Sequence, residues 1–172
     1  MLAYMDKEII REFVNESKQI VTECLNLLES IEGNFSQVTL LETYGNNIDR
    51  IMGGAKTLGL DLSEESVLSM ISDYAAVCKN VGYKAAQIKG NEAFFNVCVG
   101  LLIDGSEMLS RLLDKAELPL AEVKKTIPDE FIGRVRWALQ QFSADVRSTV
   151  ASTPSLSQDE VNALLNRLSK KS

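Results

Sequence analysis

The first 118 residues contain no proline, because the three prolines of the chain lie at positions 119, 128 and 154. Proline interrupts a helix more strongly than any other residue, so this part of the chain can form long helices. Throughout it, apolar residues recur at steps of three and four, the spacing that places them on one face of an α-helix. No segment shows a strand pattern that competes with this one. The sequence therefore predicts an all-α fold.

Turn and capping residues divide the periodic pattern into helices. The predicted boundaries are a start at Asp6, ends at Gly33 and Gly59, a start at Ser63, a break at Gly90 and Asn91, and a start at Pro128. Amphipathic helices with short connections pack as antiparallel bundles. We therefore predict an antiparallel four-helix bundle over residues 1–117, a connector and an appended helix over 118–152, and a linker with a short amphipathic helix over 153–172.

The appended helix is predicted from a single apolar face. The members of this face are Phe131, Val135, Ala138, Leu139, Phe142, Val146 and Val150. Residues 116–127, which precede the helix, are predicted to be a connector. Trp137 lies off the face, where it either covers the bundle edge or contributes to an interface.

Charge and composition restrict the class of partner. The chain has a net charge of −6 and a pI near 4.8. Nucleic acid and anionic membrane surfaces both require a basic face, so neither is an expected partner. No segment approaches the length of a membrane span, and the amino terminus lacks the pattern of a signal peptide. We expect a cytoplasmic protein whose partner is another protein, and the sequence leaves the oligomeric state open.

The chain has three cysteines and no histidine. Cys24, Cys78 and Cys98 each lie within an apolar helical segment, and no pair of them has the spacing of a zinc site. We predict that all three are small core residues. Without histidine, the commonest metal ligand is missing, so no metal site and no cofactor are expected.

The carboxyl-terminal segment has the pattern of a short, well-capped helix. Ser157 and Glu160 have the spacing of a capping box. Four apolar residues then form one narrow stripe, namely Val161, Leu164, Leu165 and Leu168. A helix of about three turns is marginal in isolation. The stripe therefore requires a groove, either on this protein or on a partner.

This segment resembles the peptide L-S-Q-D-E-I-D-x-L-L of the flagellar motor switch protein FliM, which docks the phosphorylated chemotaxis regulator CheY. A related peptide ends the phosphatase CheZ. The matching residues are Leu156, Ser157, Gln158, Asp159, Glu160, Leu164 and Leu165, with Val161 replacing isoleucine and Asn162 replacing aspartate. The resemblance implies that a CheY-like receiver domain is bound by Leu156, Gln158, Asp159, Glu160, Val161, Leu164, Leu165 and Leu168. The alternative is a helix that packs on the bundle.

The second predicted helix resembles the histidine phosphotransfer (HPt) motif H-x-L-K-G-x-x-x-x-L-G of chemotaxis kinases. Aligned on Leu58 and Gly59, the motif glycine falls on Gly53, the lysine on Met52 and the phosphorylated histidine on Asp49. A carboxylate does not accept a phosphoryl group from a response regulator as an imidazole does. The resemblance therefore implies an HPt-like bundle that has lost phosphotransfer.

Docking of a receiver does not require the histidine. Gly45, Asp49 and Gly53 are spaced four apart, so they form one stripe, which we call the pseudo-phosphoacceptor face. Each glycine inside a helix costs about 1 kcal/mol relative to alanine, so their presence requires a reason. One reason is close approach of another protein, and the other is close packing of two helices within this protein.

A phosphatase is the competing functional class. Some enzymes that dephosphorylate CheY use an acid and an amide one helical turn apart to orient the attacking water. Such pairs occur here at Glu42/Asn46 and at Glu92/Asn96, a number that chance alone predicts. Only Glu42 and Asn46 lie on the HPt-like helix. The sequence favours a non-catalytic adaptor that binds a CheY-like regulator, with a CheY-phosphate phosphatase as the alternative.

Overall fold

The computed structural model describes residues 4–60, 66–142 and 157–169. The α-helices in these ranges are α1 (Tyr4–Ile31), α2 (Leu40–Gly59), α3 (Val67–Ala85), α4 (Glu92–Asp114), α5 (Leu120–Val123), α6 (Asp129–Gln141) and α7 (Gln158–Ser169). Short 3₁₀ helices occur at Phe35–Gln37 and Lys124–Thr126. The described residues contain no strand, so the predicted all-α class is confirmed.

Helices α2 and α3 form the most extensive pair in the bundle and run antiparallel. Lys79, late in α3, donates a hydrogen bond to Asp49 in the middle of α2 at 3.0 Å. Ser72, early in α3, donates to the backbone carbonyl of Met52, further along α2, at 3.3 Å. Later residues of α3 therefore contact earlier residues of α2, which is the arrangement of antiparallel helices.

Helices α1 and α4 close the bundle. Arg11, early in α1, pairs with Glu117, just after α4, at 3.2 Å. At the other end, the backbone N–H of Gly33 donates to the side-chain oxygen of Asn96 at 3.1 Å. Because α1 also packs on α2, and α3 on α4, the four helices form a ring in which neighbours are antiparallel.

Several predicted boundaries coincide with helix ends. Gly33 and Gly90 both adopt positive φ, 75° and 67°, a conformation that glycine takes without steric penalty. The side chain of Asn91 caps α4 by accepting from the backbone N–H of Phe94 at 3.1 Å. The predicted start at Asp6 is wrong, because α1 is already helical at Tyr4.

The start of α3 is set by Ser66. Its hydroxyl oxygen accepts from the backbone N–H of Ser69 at 3.1 Å, so Ser66 is the N-cap and Val67 the first helical residue. The predicted start at Ser63 lies outside the described residues.

Helix α6 is the appended helix, and it packs across α4. The Phe94 ring lies 5.1 Å from that of Phe142 and 6.2 Å from that of Trp137, both edge-on. Trp137 contacts Phe94 of α4 and is still 48% exposed, so it covers the edge of that helix. The helix begins at Asp129 and ends at Gln141, and the predicted continuation of its face to Val146 and Val150 lies outside the described residues.

Residues 116–127 are more structured than the predicted connector. They contain α5 and a 3₁₀ helix, and Val123 and Ile127 are completely buried. Short apolar anchors of this kind lack the repeated periodicity that makes a helix visible in sequence.

The three cysteines lie in the core, as predicted. Cys24 and Cys98 are 0% exposed and Cys78 is 2% exposed, and all three are free thiols. Burial raises the pKa of each thiol to about 12, so the thiols stay protonated and unreactive near neutrality.

The prediction that no segment approaches a membrane span needs correction, because among the described residues α4 is a helix that is long and apolar enough to cross a membrane. Of that stretch, 56% is buried inside the fold. Within the bundle it packs against α1, α3 and α6. Such burial is consistent with the core helix of a soluble protein.

Candidate functional site

The carboxyl-terminal helix α7 has the predicted capping box. The backbone N–H of Glu160 donates to the Ser157 hydroxyl oxygen at 3.3 Å, and the backbone N–H of Ser157 donates back to the Glu160 carboxylate at 3.4 Å. These reciprocal bonds satisfy donors that otherwise lack a partner at a helix start. The local sequence therefore explains why this short segment is helical.

The apolar stripe of α7 lies against the bundle. Helix α7 packs on α3 and α6, and the exposed fractions of the stripe residues are 0% for Val161, 7% for Leu164, 0% for Leu165 and 4% for Leu168. Full burial of such side chains stabilises a fold by about 1.5–3 kcal/mol each before entropy is subtracted. The groove that the stripe requires is therefore present on this protein.

Polar contacts join α7 to the same two helices. Arg167 donates two hydrogen bonds to the Asp73 carboxylate of α3, both at 3.1 Å. The hydrogen bonds from Arg167 to Asp73 raise the pKa of this arginine. On the other side, Arg136 of α6 donates to the side-chain oxygen of Asn166 at 2.6 Å.

The acidic end of α7 remains accessible. Asp159 and Glu160 are exposed, whereas Gln158 is half-buried and donates to Asn162 at 3.3 Å. Leu156 lies outside the described residues. Of the predicted receiver-binding residues that the structure describes, the acidic ones thus face solvent and the apolar ones face the bundle.

The two glycines of the pseudo-phosphoacceptor face have different surroundings. A Cβ atom placed on Gly45 would overlap the ring of Tyr83 on α3, so glycine is required there for close helix packing. A Cβ on Gly53 would have no neighbour within 4 Å. Internal packing therefore accounts for Gly45, but it does not account for Gly53.

Asp49, which the HPt resemblance aligns with the phosphorylated histidine, is held by Lys79. The Lys79 side chain is only 6% exposed, whereas that of Asp49 is 42% exposed. A nearly buried ammonium group requires a charged or polar partner, and Asp49 supplies it at 3.0 Å. Asp49 therefore has a structural role, and part of its side chain still faces solvent.

A groove of about 740 Å³ lies between the second half of α2 and the carboxyl-terminal helix α7. Lys79 lines it, which places the Asp49–Lys79 pair at its edge. Residues that line it come from the end of α2 (Met52, Lys56), from α3 (Asp73, Ala76, Lys79) and from α7 (Glu160, Leu164, Arg167). The structure thus brings the α2 segment that resembles the HPt motif and the α7 segment that resembles the CheY-binding peptide to one side of the molecule.

The acid–amide pair of the alternative interpretation is exposed on α2. The Tyr83 hydroxyl donates to the Asn46 side-chain oxygen at 2.7 Å, which fixes the orientation of this amide. Burial, followed by the negative charges of Asp49 and Glu42, raises the pKa of Tyr83. The second pair differs, because Asn96 accepts from Gly33 and so holds a loop.

Three residues of α3 organise these regions and were not found from the sequence. Tyr83 fills the space beside Gly45, Lys79 pairs with Asp49, and Asp73 pairs with Arg167. The available signal was a set of polar residues within an otherwise apolar helix, which includes Lys79, Asn80 and Lys84. Polar residues on a helix that is buried nearly all round need partners.

Similarity to known proteins does not extend these observations: no protein-family model, no curated protein and no solved structure matches the chain. Within residues 4–60, 66–142 and 157–169, no group of three or more cysteine and acidic side chains is arranged to hold a metal ion.

Proposed function

We propose that this chain is a non-catalytic adaptor that binds the receiver domain of a CheY-like response regulator in the cytoplasm, within chemotaxis or a related two-component pathway. The observation that carries the proposal is one groove lined by α7, by Met52 and Lys56 of the α2 segment, and by Lys79, the partner of Asp49. Two sequence segments far apart in the chain each resemble a receiver-binding element, and the fold brings them together.

The chemistry of the face supports binding without phosphotransfer. Asp49 carries no imidazole to accept a phosphoryl group, and its carboxylate is paired with Lys79. Gly53 leaves open space one helical turn away, on the same stripe. Asp159 and Glu160 present carboxylates at the start of α7, where a basic rim on a partner would meet them.

A phosphatase is the second candidate, and one contact favours it. The hydrogen bond from Tyr83 orients the Asn46 amide one turn from Glu42, and both α2 residues are exposed. An oriented acid and amide could position a water molecule at the aspartyl phosphate of a bound receiver. No glutamine occupies the position that the CheZ pattern requires, so we rank this function second.

Titration of the purified chain with phosphorylated and unphosphorylated CheY-like receivers tests the adaptor proposal. We expect binding, with the decay rate of the receiver phosphate unchanged within about twofold. An acceleration of tenfold or more, about 1.4 kcal/mol of barrier, would favour the phosphatase instead. Loss of that acceleration in Asn46→Ala, with binding retained, would assign it to the Glu42/Asn46 pair.

A peptide of residues 154–172 tests where binding occurs. It should bind the receiver, and replacing both Leu164 and Leu165 with alanine should weaken binding by about 1–3 kcal/mol, because truncated apolar anchors lose buried area. Equal binding of the altered peptide would place the binding surface elsewhere.

A further inference from the structure

The apolar stripe of α7 is the surface that the proposed function assigns to the receiver, yet the bundle already covers it. Val161 and Leu165 are completely buried, and Leu164 and Leu168 are nearly so. One helix face cannot pack against two surfaces at once. We propose that α7 exchanges between its site on α3 and α6 and the receiver, so that the bundle and the receiver compete for the same helix. This inference rests on the proposed function.

The docked position of α7 is fixed by contacts of two kinds. The buried stripe supplies apolar packing, and the edge is held by Arg167 with Asp73 and by Arg136 with Asn166. The side chains of Arg167 and Asp73 are 57% and 28% exposed, so this ion pair lies at the rim of the contact. A change at the rim shifts the balance between docked and released α7 while the bundle core stays intact.

Asp73 also lines the groove, but it is the better residue to change, because it belongs to α3 and not to α7 itself. Arg167, by contrast, lies within α7 and would itself meet the receiver. Substitution of Asp73 therefore alters the competing site and leaves the sequence of α7 unchanged. In a two-state exchange, the apparent association constant for the receiver equals the intrinsic constant multiplied by the fraction of molecules whose α7 is released. A larger released fraction therefore gives tighter apparent binding.

The test compares the receiver affinity of full-length variants. In Asp73→Arg, like charges face each other at the rim, and we expect receiver binding about tenfold tighter than in the unaltered chain. In Asp73→Asn the charge is only removed, and we expect about threefold. The matched control is Glu117→Arg, which reverses the charge of Glu117 in another bidentate ion pair, with Arg11 at 3.2 Å and outside the α7 contact. Its affinity should stay within about twofold of the unaltered chain.

The outcomes separate this inference from the function on which it rests. Equal affinities in the unaltered chain and both Asp73 variants would overturn the exchange and leave the adaptor function standing. No binding by any of the chains would overturn the adaptor function, and the exchange with it. If Asp73→Arg lost its cooperative unfolding transition, the Asp73→Asn result would decide. Tightening by Glu117→Arg as large as that by Asp73→Arg would attribute the effect to net charge and overturn the exchange.

Discussion

Helices α2 and α7 carry the two segments that resemble signalling elements, and the fold covers them to different extents. On α2, Asp49 keeps 42% of its side chain exposed and Gly53 faces open space. On α7, all four apolar side chains of the stripe lie against the bundle. Under the proposed function, a receiver would reach the α2 face without rearrangement, and the α7 stripe only after that helix moves. A segment that resembles a binding peptide in sequence can thus be covered by its own chain.

The largest expected effect is on α7. Leu165→Ala removes a completely buried side chain, and we expect the free energy of unfolding to fall by about 2–3 kcal/mol. The loss stays at the low end of the usual range, because α7 can detach once its packing is weakened. Chemical denaturation measures it, and exposed Asp159→Ala on the same helix should cost less than about 1 kcal/mol. Equal losses would mean that the stripe is not buried.

The next effect separates the two glycines of the α2 stripe. Gly45→Ala forces its new methyl group into the Tyr83 ring, so we expect a loss of about 1–2 kcal/mol. Gly53→Ala meets no neighbour and should gain up to about 1 kcal/mol from helix propensity. Thermal unfolding of the two variants should therefore show midpoints that move in opposite directions. A gain in both would remove close packing as the reason for Gly45.

How far these elements could be predicted depends on how local their causes are. The breaks at Gly33 and Gly90 and the capping box of Ser157 and Glu160 were predicted, because each acts on backbone groups within a few residues. The N-cap of α3 is Ser66, and the sequence did not single it out, since several polar residues there are compatible with a cap.

The partners of the functional segments could not be predicted from one sequence. Lys79 lies 30 positions from Asp49, and Asp73 lies 94 positions from Arg167. An apolar stripe shows that one face of a helix is buried, but it does not show which surface covers it. For α7 the sequence therefore favoured a groove on a partner, with a groove on this protein as the alternative.

A smaller effect tests the role of Asp49. Asp49→Ala leaves the Lys79 ammonium group without this partner, and because Lys79 is 6% exposed we expect a loss of about 1 kcal/mol. Asp104→Ala is the matched control, since it frees Arg134, whose side chain is 45% exposed and can be hydrated. Urea denaturation should show a loss below about 0.5 kcal/mol for the control. Equal losses would indicate that the Asp49–Lys79 ion pair contributes no more to stability than an exposed ion pair does.

The smallest effect is that of pH near neutrality. The chain has no histidine, and burial raises the thiol pKa values from 9.0 to about 12. Between these two values the unfolded chain binds fewer protons than the folded one, so stability falls as pH rises above about 9. Burial lowers the pKa of Lys84, which acts in the opposite sense. The thermal midpoint should be constant from pH 6 to 8. A change there would mean that a titratable group other than the thiols and Lys84 is perturbed by folding.

The most direct test of the central claim is a distance between α7 and the bundle, measured with and without a bound receiver. Spin labels on Ala163→Cys and Glu107→Cys mark α7 and α4 at exposed positions, and the buried native thiols should not react. We predict one main distance in the free chain and a longer, broader distribution when a phosphorylated CheY-like receiver is bound. An unchanged distance in the complex, with binding confirmed by co-elution, would contradict the exchange of α7.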